Sequence, residues 1–148
     1  MLKGLNGTSA KNFVDYWYNI GPTNKRGWWF QLDLHGGSYS GATNGDFSAS
    51  SYAHRDKLYL IQFYDQVFFG NYPSDGYSFL DNFVSNVTAP LLSSDYGMYI
   101  NYADSRLNQT TAGQMYYGQN LARLQRVKAA YDPAELFSTP QSVRPVAA

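Results

Sequence analysis

Fourteen Tyr, nine Phe and three Trp crowd a chain of 148 residues whose charged residues make up only 15%. Disordered chains are poor in aromatics and rich in charge, so this chain must fold around its rings. Its length supports one modest core. The acids point to how the rings are distributed. Glu135 is the sole Glu among eleven acids, whereas long charged helices favour Glu and Lys. The balance reads as a sheet-and-loop protein with aromatic-rich surfaces.

Eleven Lys and Arg offset eleven Asp and Glu, and no basic run is longer than Lys25-Arg26. A nucleic-acid partner needs a basic face, so none is expected. No apolar stretch approaches the roughly 18 residues of a membrane span, and no membrane partner is expected. The chain has no Cys, which excludes disulfides, thiolate nucleophiles and zinc ribbons. His35 and His54 are too few for a histidine metal site, and no metal is expected. Three N-x-T sequons begin at Asn6, Asn86 and Asn108 and lean toward a secreted protein. The first residues, MLKGLNGTSAKN, hold no apolar run and are not a signal peptide. The expectation is therefore the tail of a longer secreted chain.

Thr8 or Ser9 can cap a helix to about Ile20, with Phe13, Val14, Trp17 and Tyr18 on one face, stopped by Gly21-Pro22. Trp28 to Leu34 alternates: Trp28, Phe30, Leu32 and Leu34 face one way, and Trp29, Gln31, Asp33 and His35 the other. Gly36 to Ser51 reads as a long loop. Lys57 to Tyr64 is a second, nearly continuous apolar strand with Gln62 as its one buried-looking polar residue. Tyr77 to Val87 is an amphipathic helix ending before Pro90. Tyr96 to Tyr102 reads as a third strand. A last helix spans about Thr110 to Ala130 with Leu121, Leu124 and Val127 as its stripe, and the tail from Pro140 is extended. This order predicts an α+β fold: an antiparallel sheet covered on one face by helices, followed by a C-terminal helix and extended tail. Three strands make a thin sheet, so further strands from outside this chain are expected.

Residues 36–41 are neither a nucleophile elbow nor a P-loop nor a dinucleotide fingerprint. The strand face of Trp29, Gln31 and Asp33 is more informative. Aromatic rings stack on the apolar faces of pyranoses, and amides and carboxylates bind hydroxyls. The same face also suits plain solvation, Gln62 a satisfied core amide, and Tyr99-Ile100-Asn101-Tyr102 a merely aromatic strand.

Three longer stretches narrow the reading: WWFQLDLHGG (28–37), YAHRDKLYLIQFYD (52–65) and SDYGMYINYAD (94–104). With Tyr117-Gly118-Gln119-Asn120, Tyr131-Asp132-Pro133 and Pro140-Gln141-Ser142, they resemble the C-terminal part of berberine bridge enzyme-like FAD oxidases. The resemblance runs from about Leu2 to Val146 and is nearest to fungal glucooligosaccharide and chitooligosaccharide oxidases. It implies a two-domain parent, secreted and FAD-dependent. Residues 1–108 would belong to its substrate domain. Residues 109–148 would form the segment that packs on an N-terminal FAD-binding domain absent from this chain. The flavin attachment residues would lie in that absent domain.

Carried over by position, Tyr102 implies the catalytic base and Asp33 the acid that assists it. Gln31 and Gln62 imply sugar-hydroxyl binders, Trp29 and Tyr99 aromatics of the sugar groove, and Asn101 a flavin contact. Plant members of the wider family carry Glu at the position aligned with Ile61, so this chain departs from the alkaloid type and keeps the sugar type. A free Tyr has a pKa of about 10 and is a poor base at neutral pH unless assisted. The alternatives are a carbohydrate-binding remnant without redox activity and a non-functional truncation. In a regular strand Tyr99 and Tyr102 face opposite ways, so a shared groove requires a break in the strand.

Overall fold

The computed structural model describes residues 1–35 and 46–146. The chain forms two compact units, Met1–His35 with Lys57–Tyr96 and Gly36–Asp56 with Gly97–Ala148. Much of the expected Gly36–Ser51 loop, to residue 45, lies outside the described residues, as do the last two residues of the tail.

In the first unit, helix α1 (Gly7–Asp15) is capped by Asn6, not by Thr8 or Ser9. The Asn6 carboxamide oxygen accepts from the Ser9 amide at 2.8 Å, and Ser9 itself is fully buried. Asn can cap because its oxygen reaches the second or third amide of the first turn. The helix then widens into a π turn (Tyr16–Ile20) and tightens into a 3-10 turn (Gly21–Thr23). A Cβ on Gly21 would lie 2.6 Å from the Trp28 ring, so only glycine lets the indole pass beneath the turn. The π turn rotates Tyr16 inward and leaves Trp17 and Tyr18 exposed, which breaks the single apolar face expected through Tyr18.

Strands β1 (Gly27–Leu34) and β2 (Tyr59–Gln66) pair antiparallel, Trp29 opposite Tyr64 and Gln31 opposite Gln62. Helix α2 (Ser74–Thr88) runs three residues longer at its start than its apolar spacing marks. Its Phe79, Phe83 and Val87 form the core with Leu2 and Tyr16, and Trp28, Phe30, Ile61 and Phe63 pack against it from the sheet. The alternation in β1 holds, but the helices cover only half of the inner face. Leu34 is 77% exposed.

The expected third strand over Tyr96–Tyr102 does not form. Leu2 makes isolated bridges to Tyr59 and Tyr96, its amide donating to the Tyr59 carbonyl at 2.8 Å. The N-terminal segment thus takes the ladder position next to β2. Beyond Tyr96 the chain turns away and coils into a 3-10 turn, Ile100–Tyr102. The β propensity of its three Tyr and one Ile is overridden because β2 already has its partner. The fold is α+β with a two-stranded antiparallel sheet. Lys57, expected at the head of the second strand, is instead buried before it and donates to the Ser94 carbonyl at 2.9 Å.

In the second unit the expected single last helix is two, α3 (Gln109–Tyr117) and α4 (Leu121–Tyr131), joined by a 3-10 turn. Gly118 sits at φ 46° in that joint, a backbone conformation that ends a helix. Asn108 caps α3 through the Thr111 amide. Leu121 and Leu124 are half-buried, and Val127 is exposed.

The end of the β1–β2 ladder is closed by a buried carboxylate. The Asp65 side chain is fully buried, accepting from Arg26 Nε at 2.7 Å and from the Tyr72 hydroxyl at 3.1 Å. Burial, then the bond to Asp65, pushes Tyr72 up to about 12. A folded value above the unfolded one means this contribution is fully present below about pH 10 and is lost as the pH rises toward 12. Tyr72→Phe is expected to cost about 1 kcal/mol near neutral pH, read as a lower urea midpoint. The gap to the unmodified chain should close in alkali. A pH-independent difference would refute the assignment.

Candidate functional site

The outer face of β1–β2 gathers Trp29, Gln31 and Asp33 from one strand with Leu60, Gln62 and Tyr64 from the other, because every second side chain of a strand shares a face. At one end the Trp29 and Tyr64 rings stack, centroids 5.2 Å apart and 25° between planes. In the middle, Gln31 lies across from Gln62. Gln31 Nε2 donates to both carboxylate oxygens of Asp33, at 3.0 and 3.1 Å. That bond orients the carboxylate and leaves the Gln31 carbonyl oxygen available to a hydroxyl. Leu60 is buried while Trp29 is 41% exposed, so the face grades from an apolar end beside Asp33 to an open aromatic end. His35 follows β1 and is not part of the strand.

The other sequence-predicted residues belong to the second unit. Tyr99 precedes the 3-10 turn and Tyr102 ends it, and the Tyr102 amide donates to the Tyr99 carbonyl at 2.9 Å. Their rings meet edge to face at 5.5 Å. The turn therefore resolves the conflict raised by a regular strand, since three residues around a turn return to one side. Asn101 Nδ2 donates to the Tyr99 hydroxyl at 2.7 Å. The amide expected at a flavin thus holds the Tyr99 phenol through its nitrogen, which leaves its carbonyl oxygen as the group that could meet a ligand N–H.

Two supports for this turn were not read from sequence. Tyr52 packs edge to face on Tyr99 at 6.2 Å and on His54 at 5.7 Å. Burial, then the neighbouring Tyr99 phenol, pushes the Tyr52 hydroxyl above its ordinary value. His54 Nε2 lies 2.7 Å from the Met98 carbonyl. A Cβ on Gly97 would fall 2.4 Å from the His54 ring, so glycine is needed for that approach. From the other side, the Tyr116 hydroxyl receives the Asp104 amide at 3.0 Å and donates to Gln141 Oε1 at 3.2 Å. Gln141 Nε2 donates to the carbonyls of Asp104 and Leu107 at 2.7 and 2.9 Å. The stretch after Tyr102 is thereby tied to the C-terminal tail. Tyr64 was also missed, although the period of two that places Gln62 on the face places Tyr64 there as well.

The first unit thus carries a sheet face of stacked rings, amides and a held carboxylate, and the second a turn with two phenols and an amide; the chain has no cysteine, and no metal-binding cluster occurs among the described residues. Comparison with known proteins gives it a family. Residues 98–144 match the model described as berberine and berberine like. A carbohydrate oxidase of Microdochium nivale is 50% identical over 98% of this chain and 30% of its own length. A chitooligosaccharide oxidase of Gibberella zeae is 41% identical over 93% of the chain and 28% of its length. The solved Microdochium nivale enzyme, in complex with a substrate analogue, superimposes with a TM-score of 0.92 at 49% identity, covering 99% of this chain and 31% of that one. The chain belongs to the berberine bridge enzyme-like family, among relatives that are fungal carbohydrate and oligosaccharide oxidases. It spans about 30% of the length of the curated relatives it matches.

Asn120 secures the loop that carries Tyr52. Its buried amide donates to the carbonyls of Phe47, Ser50 and Ser51 at 3.0, 3.3 and 3.4 Å, and Arg123 donates to the Ser48 carbonyl. Asn120→Ala removes these bonds and is expected to cost about 0.5–1.5 kcal/mol. Amide exchange should quicken over residues 47–54 before it does in β1 and β2. Uniform quickening across both units would contradict this local role.

Proposed function

We propose that this chain is the substrate-side, C-terminal portion of a secreted FAD-dependent carbohydrate oxidase. The reaction is oxidation of the anomeric C1 hydroxyl of a reducing oligosaccharide to a lactone, the two electrons passing by way of FAD to dioxygen, which is released as hydrogen peroxide. The observation that carries the reading is the outer sheet face, where an aromatic pair, two facing amides and an amide-held carboxylate occupy one strip. Its composition matches the demands of a sugar, and the relatives are named for oxidising sugars.

In this reading Trp29 and Tyr99 stack on sugar rings, and Gln31 and Gln62 bind hydroxyls. Tyr102 takes the C1 hydroxyl proton. Asp33, held by Gln31, assists it. A carboxylate helps a phenol act as base only by accepting its proton or hydrogen bond, since a bare negative charge nearby raises the phenol's pKa. Bound FAD would supply the acceptor for the C1 hydride. Asn101 would offer its carbonyl oxygen to that group, and covalent attachment would come from residues outside this chain.

The segment 109–148 would dock on the FAD-binding domain. Tyr131, Leu136 and Phe137 are each more than 80% exposed, yet the turn presenting them is firmly held. Asp132 accepts from the Leu136 and Phe137 amides at 2.8 and 3.1 Å, and Lys128 donates to the Phe137 carbonyl at 2.6 Å. Glu135 in that turn adopts φ 54°, a strained conformation for a residue with a side chain. A strained and pinned turn that points apolar residues at solvent suits an interface.

In the protein joined to its flavin-binding half, Tyr102→Phe is expected to slow anaerobic flavin bleaching by cellobiose about 10²–10⁴-fold, as loss of a general base does. An unchanged bleaching rate would remove Tyr102 from this role. The 148-residue chain mixed with FAD and dialysed should keep no flavin absorbance. Retained absorbance would show that the cofactor site lies largely within these residues.

A further inference from the structure

The three Asn-x-Thr triplets, at Asn6, Asn86 and Asn108, belong neither to the sheet face nor to the tyrosine turn. A glycan on such an Asn is carried by the carboxamide nitrogen and needs a surface position. All three Asn are exposed, but the fold uses them differently. Asn6 is engaged at both ends: its oxygen accepts from the Ser9 amide at 2.8 Å, and Nδ2 donates to the Pro90 carbonyl at 3.1 Å. Asn86 lies inside α2, where its Nδ2 donates to the Asn82 carbonyl at 2.8 Å and the Thr88 hydroxyl of the same triplet donates to the Val84 carbonyl at 2.9 Å. Both polar groups of that triplet are folded back onto the helix. Asn108 precedes α3 with extended backbone, φ −68° and ψ 160°. Its oxygen caps the helix by accepting from the Thr111 amide at 2.9 Å, while its Nδ2 makes no hydrogen bond among the described residues. Gln109, the middle residue, turns toward the tail and donates to the Ser142 carbonyl at 2.7 Å, and Asn108 and Thr110 on either side of it are exposed.

We propose that Asn108 is an N-glycosylation site, and that Asn6 and Asn86 are structural asparagines left unmodified. The proposal rests on the secreted character in the reading above and not on its sugar chemistry. The donor is the lipid-pyrophosphate-linked oligosaccharide of the secretory route. The bond from its anomeric carbon to the pyrophosphate oxygen breaks, a bond from that carbon to Asn108 Nδ2 forms, one Nδ2 proton is lost, and the lipid pyrophosphate leaves. An Asn carboxamide keeps its carbonyl acceptor through this change, so the cap on α3 survives the modification. At Asn6 and Asn86 the glycan would have to share a nitrogen that already donates to the fold.

The test uses the protein joined to its flavin-binding half and secreted from yeast behind a secretory leader. Peptide-N-glycosidase in heavy-oxygen water converts each glycan-bearing Asn to a labelled Asp, which mass spectrometry locates. Label is expected at Asn108 and at neither Asn6 nor Asn86. Asn108→Gln removes the triplet and the cap together, whereas Thr110→Ala removes the triplet and keeps the cap. Each should lose one glycan-sized step in gel mobility, and Asn6→Gln and Asn86→Gln should lose none. If Asn108→Gln fails to fold, Thr110→Ala and the labelling of the unmodified protein decide the matter. An unlabelled Asn108, or label at Asn6 or Asn86, would overturn the proposal. A labelled Asn108 in a protein that oxidises no sugar would remove the functional reading and leave this proposal standing.

Discussion

Phe83 holds the first unit together. It is completely buried, and the rings of Tyr16 and Phe63 lie 4.6 Å from it, that of Phe13 5.2 Å, and those of Phe30 and Trp28 6.3 and 6.4 Å. Two helices and both strands contribute to this nest. Once Trp28, Phe30 and Phe63 are committed to it, the period of two leaves no freedom for their neighbours. Trp29, Gln31, Asp33, Gln62 and Tyr64 must stand on the opposite face. The outer face is the obligatory reverse of the aromatic core, and truncating Phe83 is expected to cost about 3–5 kcal/mol.

The second unit solves a different problem. Its Tyr99-Ile100-Asn101-Tyr102 stretch brings two phenols together, which an extended strand forbids. The 3-10 turn achieves it, and polar clamps hold the turn rather than a large core. Tyr116 and Gln141 fasten the chain just after Tyr102, while His54 and Tyr52 brace Met98 and Tyr99. The Gln141 amide has its oxygen and both N–H groups bonded, which makes such a clamp rigid.

Much of this was legible in the residues. The alternation from Trp28 to Leu34 gave the strand and its two faces, because side-chain period is a local property. The antiparallel partner was legible from its apolar run, though its bounds shifted by two residues to Tyr59–Gln66. The α+β class and the berberine bridge enzyme-like membership followed from element order and motifs. What local pattern could not give was competition for partners. Tyr96–Tyr102 has the composition of a strand, yet Leu2 occupies the ladder beside β2. The Asn6 cap was hidden because Thr8 and Ser9 offer equally good cap chemistry nearby. The bond from Asn101 to Tyr99 was hidden because it depends on the turn. Register was the other gap: the period of two puts Tyr64 on the face, but only the pairing of Trp29 with Tyr64 brings their rings together.

The central claim is that β1 and β2 divide their labour, an aromatic core beneath and a sugar-binding strip above. The most direct measurement is a 1H–15N spectrum of the 148-residue chain titrated with xylobiose and cellobiose, with the indole and side-chain amide signals assigned. The account predicts shifts at the Trp29 indole and at the Gln31 and Gln62 amides, with the buried-side Trp28 indole unmoved. Shifts at Trp28 without Trp29, or a spectrum indifferent to both sugars, would contradict it.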